Sequence, residues 1–318
     1  MTRVLAFLLF VVSQNALPQA YPFKPVRLVV GLAPGGATDI MARTIAPALS
    51  EELGQPVVVD NRPGAAGSIG AALVAKATAD GYTLFLASSS FTSNAVLNAG
   101  GGSYDPLQDF TPITNIASAP FLLVTRASLP ATTVPELLDY ARNHPGKLNF
   151  ASSGVGSTAH LTGELLKRSA GIDMTHIVYR GAGPALADVL GGQVDLMFAS
   201  IVSSLPHAKS GKLRALAVTS TRRSAVVPEF PTVAEAGVPG FEMIGYFGLL
   251  APARTPAAIV TTVHSAVQRT LRRRDIVERL AADGAEPDGC TPAELRALLE
   301  RDMQKLSELV QGAKIPRQ

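Results

Sequence analysis

Twice along this chain an apolar, strand-like run breaks into glycine and small hydroxyl residues and then turns helical. Val26-Arg27-Leu28-Val29-Val30-Gly31-Leu32-Ala33 leads into Pro34-Gly35-Gly36-Ala37-Thr38-Asp39 and a helical pattern from Ile40. Leu148-Asn149-Phe150-Ala151 leads into Ser152-Ser153-Gly154-Val155-Gly156-Ser157-Thr158 and a helix starting near His160. A helix N-terminus offers unpaired backbone N–H groups and the positive end of its dipole, so it favours an anion. Glycine lets a ligand approach the main chain, and Ser or Thr adds hydroxyl donors. Two such junctions far apart in sequence imply two lobes gripping one acidic small molecule.

The pattern around them is α/β. Strands at 26–30, 57–59 and 82–87 alternate with helices at 40–53, closed by Gly54, and at 69–77. That order predicts a parallel sheet with right-handed crossovers, whose ligands collect beyond the C-terminal strand ends. The loops Pro34–Asp39 and Ser88–Asn94 lie at that edge. A second unit reads as strands at 121–124, 148–151, 176–179, 194–199 and 213–219, with helices at 134–142, 160–170 and 184–190. Pro120-Phe121-Leu122-Leu123-Val124, followed by Pro130 and a helix, is echoed by Phe247–Pro252, followed by Pro256 and a helix. The chain is therefore expected to enter a second lobe near 118 and return near 245. Lobe 1 would be 21–117 plus 245–318 and lobe 2 118–244, with two crossings that permit hinge closure. Helices carrying Leu271, Ile276, Val277 and Leu280, and Leu295, Leu298, Leu299 and Leu306, are expected to cover lobe 1. A length of 318 residues suits two cores better than one.

Other classes lose their usual support. The 28 basic and 25 acidic residues leave a formal charge of +3 with no aromatic-basic platform, so nucleic acid is not an expected partner. Arg272-Arg273-Arg274 reads as a solvated helix face. Met1-Thr2-Arg3, the apolar Val4–Val12 and the small residues ending at Ala20 predict a signal peptide over 1–20, too short to span a membrane. A soluble, exported, periplasmic protein is expected. Cys290 is the only cysteine and the five histidines lack zinc-ligand spacing, so no metal or cofactor is expected. G-x-S-x-G, G-x-G-x-x-G and G-x-x-x-x-G-K-[ST] are all absent, with Ala66-Gly67-Ser68-Ile69-Gly70 only a near miss. Asp39, Asp188 and Asp195 could converge, but no catalytic constellation stands out. Bland readings stand beside the binding ones. Pro34–Asp39 can be a turn and cap, Ser157 or Thr158 an N-cap, and His160 a structural partner of Glu164. Arg180 can pair with a carboxylate or face solvent.

Several segments together resemble the substrate-binding proteins of tripartite tricarboxylate transporters, the Bug family of periplasmic receptors. They are Tyr21–Arg27, Ala33–Gly36, Asn61-Arg62-Pro63-Gly64-Ala65-Ala66-Gly67-Ser68-Ile69-Gly70, Asp80–Leu84, Ala151–Ser157, Gly211–Thr219, Pro231–Gly237 and Ala251-Pro252. The resemblance implies an α/β, two-lobed type II periplasmic-binding-protein fold that captures small carboxylates with loop amides, hydroxyls and ordered water. Carried onto this chain, it implies contacts from Pro34, Gly35, Gly36 and Asp39, from Ser88 and Ser89, and from Ser153, Gly154, Ser157 and Thr158 with His160 nearby. It also implies membrane transporter subunits as partners. Tyr246 stands where the family usually carries Trp. A monomer is expected. The alternatives are a secreted hydrolase acting on an acidic substrate, and a receptor coupled to a membrane sensor.

Overall fold

The computed structural model describes residues 21–98 and 102–312, so the predicted signal peptide lies outside the described residues. In chain order the elements begin β1 (Val26–Val30), α1 (Ala37–Leu53), β2 (Val57–Asn61), α2 (Ser68–Ala75), β3 (Thr83–Ser88), α3 (Ser90–Leu97) and β4 (Phe110–Arg126). They continue with α4 (Val134–Asn143), β5 (Asn149–Ser152), α5 (Thr158–Ala170), β6 (Thr175–Val178), α6 (Ala182–Leu190), β7 (Leu196–Ser200), α7 (Ile201–Lys209) and β8 (Leu213–Val218). The last are β9 (Ile244–Pro252), α8 (Ala257–Arg272), α9 (Arg274–Ala282), β10 (Glu286–Pro287) and α10 (Pro292–Gly312).

The first three strands form the parallel order β2-β1-β3 that the alternation predicts. Helix α1 buries Met41, Ile45, Ala48 and Leu49 against them at helical spacing. It ends where Gly54 takes a left-handed φ of 68°. Strand β9 then pairs antiparallel with β3 on one side and with Phe110–Pro120 of β4 on the other.

Strand β4 differs most from expectation: its 17 residues run where only Phe121–Val124 reads as a strand. Its first half pairs with β9, and its second half, from Phe121, pairs antiparallel with β7 and β8. Parallel β6-β5-β7 completes that second sheet. One strand thus belongs to both sheets. Burial on both faces erases the alternation that marks a strand, and Pro112 and Pro120 read as breakers. The register slips beside Pro112 and again between Asn115 and Ser118, so the strand bends instead of ending.

Three further corrections concern helices. The Ser88–Asn94 segment is not a loop: β3 runs through Ser88 and α3 begins at Ser90. Helix α7 follows β7 directly and was not expected. The helix expected to carry both Leu271 and Leu280 is broken at Arg273, whose backbone is extended. The guanidinium of Arg273 pairs with Glu51 and Asp275. Helix α10, ~30 Å long at the usual helical rise, reaches further than expected. Leu295 and Leu299 pack with Val29 and Phe85, while Leu306, Leu309 and Val310 pack with Val96, Leu97 and Leu161 of α5. The second core centres on Phe150, Phe198, Leu137 and Leu166.

Candidate functional site

Five helices, α1, α3, α5, α6 and α7, each begin just beyond the C-terminal end of a strand, and residues of all five starts line one pocket. Its volume is about 60 Å³. Gly36, Ala37 and Thr38 come from α1, Ser89 and Ser90 from α3, Thr158 and Ala159 from α5, Ala182 from α6, and Ser200 from the start of α7. Phe121, Met197, Phe198, Tyr246 and Phe247 supply an apolar floor. None of the lining residues carries a charge. The residues preceding α1, α3, α6 and α7 (Gly36, Ser89, Gly181, Ser200) make no side-chain cap hydrogen bond, so the first-turn amides keep their donor capacity.

Hydrogen bonds between segments distant in sequence surround the pocket. Thr158 donates its hydroxyl to Ser89 Oγ at 2.9 Å, and its N–H to Ser90 Oγ at 3.3 Å. Ser93 Oγ donates to the Gly156 carbonyl at 2.7 Å. Asn94 Nδ2 donates to the Ala65 carbonyl at 2.6 Å. At the rim, backbones come close enough that a Cβ placed at Gly154 would lie 3.2 Å from that of Ala66, and one at Gly181 would lie 3.1 Å from that of Ala33. Both glycines also hold φ above +130°, a region closed to other residues. Outside the rim a second chamber of about 640 Å³ opens between Pro63–Gly67 on one side and Ser153–Val155 and Val178–Gly181 on the other.

The structure brings five of the expected residues, Gly36, Ser88, Ser89, Ser153 and Thr158, onto the inner pocket. Gly154 lines the outer chamber. Pro34, Gly35, Asp39, Ser157 and His160 lie off both walls. Gly35 makes the turn before α1 at φ 78°, and its N–H donates to Asp39 Oδ2 at 2.9 Å. Asp39 is 3% exposed and accepts from Arg43 Nε at 3.0 Å. Burial pushes its pKa up, but the bonds from Arg43, Gly35 and Asn61 outweigh that and hold it below the usual carboxylate range. An ionised carboxylate so engaged braces the loop. Ser157 is fully buried, and its Oγ accepts from the His160 N–H at 3.3 Å, an N-cap. His160 accepts the Gly156 N–H on Nδ1 at 3.3 Å and stacks on His176 with centroids 4.1 Å apart. His176 stacks in turn on Phe150 and lies 2.6 Å from Ser152 Oγ. Burial drives both imidazoles below their ordinary pKa, His176 to about 3, so both are neutral props for the loop.

The cap predicts an outcome. Ser157→Ala should lower stability by ~1 kcal/mol and leave ligand affinity within a factor of two. Denaturant unfolding and calorimetric titration of the same sample read both quantities. The pocket residues that the sequence did not reveal are Thr38, Ser90, Ala182, Ser200 and the aromatic floor. Ser200 was accessible in principle, since Ala199-Ser200-Ile201 is a strand–hydroxyl–helix junction, but it lacks the glycines that flag the other two.

Comparison with known proteins agrees with this architecture. The family described as "Tripartite tricarboxylate transporter family receptor" matches residues 41–315. Protein BugT of Bordetella pertussis is 38% identical over 323 residues, covering 99% of this chain and 99% of that protein. The structure of Rpa4515 of R. palustris with adipate is 39% identical with a TM-score of 0.89, covering 92% of this chain and 98% of that one. The structure of MatC (Rpa3494) from Rhodopseudomonas palustris with bound malate is 36% identical with a TM-score of 0.86, covering 91% and 100%. The two-lobed α/β fold is that of periplasmic binding proteins. By sequence over nearly its whole length and by fold, the chain belongs to the tripartite tricarboxylate transporter receptors of the Bug family.

Proposed function

We propose that this protein is a periplasmic receptor that captures a small carboxylate reversibly in the inner pocket and presents it to the membrane subunits of a tripartite tricarboxylate transporter. Gly36, Ser88, Ser89, Ser153 and Thr158 would contact the ligand. Lobes 21–117 plus 245–318 and 118–244 would close over it about the crossings near 118 and 245. The protein would act as a monomer and without catalysis.

One observation carries this reading: five helix N-termini converge on a pocket whose walls hold no charge. Each N-terminus stabilises an adjacent anion by ~0.3–1 kcal/mol, and by up to ~2 kcal/mol where partly buried. An anion gains from all five, a cation is repelled by all five, and a neutral ligand gains only hydrogen bonds. The adipate and malate held by relatives are carboxylates of this kind. The receptor reading is also supported against a hydrolase. Among the described residues Ser153 has no hydrogen-bonded histidine or carboxylate to act as its base, and Ser68 lies away from the pocket in the first turn of α2.

Calorimetric titration of the purified protein against mono-, di- and tricarboxylates and their uncharged amides tests it. At least one carboxylate should bind, with its amide weaker by ~100-fold or more. Folded protein that binds no carboxylate, or that turns an ester over, overturns the proposal.

A further inference from the structure

We infer that the outer chamber is a second subsite, in which Arg180 receives the far carboxylate of a dicarboxylate whose first carboxylate sits in the inner pocket. The inference rests on the receptor reading above and assigns a residue and a ligand class that the reading leaves open.

Size sets up the argument. A cavity needs ~10–15 Å³ of probe-occupied volume to hold one water, so about 60 Å³ accommodates a carboxylate head with a short stub of chain, not a long dicarboxylate entire. Binding pockets for whole ligands run to ~300–1,000 Å³, the range in which the outer chamber, at about 640 Å³, falls. Leu32, Ala33 and Ser153 line both cavities, so the two lie on opposite sides of the same few residues. A ligand anchored by its head and too long for the inner pocket would extend past those residues.

Charge then selects the tail. Among the described residues, Arg180 is the only charged one lining either cavity. It makes no salt bridge or side-chain hydrogen bond with the described residues, whereas most of the other described arginines are paired. Its position is nevertheless fixed by its neighbours. On one side Tyr179 OH donates to Asp188 Oδ2 at 2.6 Å. On the other, Gly181 holds φ 133° with its backbone against Ala33. An uncommitted guanidinium on a fixed corner at the mouth of an otherwise uncharged cleft offers a planar pair of donors to a carboxylate. Tyr179 cannot compete for that role as a charge, because burial and the neighbouring Asp188 raise its phenol to about 12 and keep it neutral.

Matched ligands isolate the tail: succinate against butyrate, and adipate against hexanoate, each pair differing only in the terminal carboxylate. Wild type should bind the better dicarboxylate more tightly than its monocarboxylate partner. Arg180→Gln should weaken that dicarboxylate by ~10-fold while changing monocarboxylate affinity by less than a factor of two. Arg180→Lys should recover part of the loss. Arg180 is exposed and unpaired, so the melting temperature should not move. Equal binding of both members of each pair by wild type, or equal weakening of both by Arg180→Gln, overturns the subsite and leaves the receptor reading standing. Failure of both pairs to bind, while another carboxylate of the wider panel does, also overturns the subsite alone. Failure of every carboxylate overturns both.

Discussion

Gly36→Val protein should fold normally and bind carboxylates at least ~100-fold more weakly, a loss of ~2.7 kcal/mol or more. Gly36 precedes α1 with φ −80° and ψ 165°, an extended conformation open to any residue, so valine introduces no backbone strain. A Cβ there meets only ordinary contacts, Ala33 O at 3.5 Å and Ala182 Cβ at 4.0 Å. The two methyls beyond that Cβ are the difference. They must occupy a pocket of about 60 Å³ or press on Ala182 across the cleft. Gly36→Ala, which adds the Cβ alone, should bind within ~10-fold of wild type. Circular dichroism melts and titrations on the three proteins check the ordering. A valine variant with wild-type affinity would remove the inner pocket from the site.

The second large effect concerns pH and stability. Asp302, on α10, accepts from Thr92 Oγ1 at 2.5 Å, and that oxygen lies 2.8 Å from the buried Tyr246 OH and 3.0 Å from the Ser89 carbonyl. Burial raises the Asp302 pKa to about 6, against the opposing pull of the Thr92 bond and the Lys305 charge. Lys305 is itself shared with Glu242. A carboxyl whose pKa is higher folded than unfolded binds its proton more tightly in the native state. Its contribution is therefore complete below the ordinary pKa of 3.8 and is lost as pH rises through about 6. The loss amounts to at most about 3 kcal/mol. Asp302→Asn should abolish that decline and be the more stable protein near neutral pH. His160 and His176 act in the opposite sense, because their depressed pKa values cost stability as pH falls below the usual imidazole range. Wild type alone cannot separate these effects. Urea unfolding of both proteins at about pH 5 and pH 8 does, since the difference between them belongs to Asp302. An identical pH dependence in the two would assign the effect elsewhere.

These two residues also mark what the sequence does and does not reveal. The Gly36 junction is legible because glycines and a hydroxyl gather at a strand-to-helix transition, where a turn and cap can double as an anion site. The same logic finds Ser153 and Thr158, whereas Ser88 and Ser89 come from their place at the strand edge and from the family resemblance. That logic fails at Ser90 and Ala182, where nothing local sets the helix start apart. Helix α3 itself is opaque for a physical reason. Ser89-Ser90-Phe91-Thr92-Ser93-Asn94 has poor helix propensity. Bonds from distant segments hold it instead: Thr92 to Tyr246 and Asp302, and Ser93 to Gly156. Strand β4 hides likewise, because its register with β9, β7 and β8 can be known only once those strands are placed. Asp39 illustrates the converse. Acid at a helix start marks the right loop, yet the charge is spent on Arg43 and Gly35, and the residues that remain on the pocket wall are those without any.

A pocket ringed by the starts of five helices also keeps its donors through any side-chain change that does not fill it. Every residue except proline carries the same peptide N–H, so point mutation can change the side chains around such a ring without removing its donors. The heritable part of the grip is then the position of five strand ends, which the whole folded core maintains. The side chains of the outer chamber carry no such burden. Descendants of one ancestral receptor could therefore exchange them freely and come to accept new cargo, while continuing to hold an acidic end group by the same backbone.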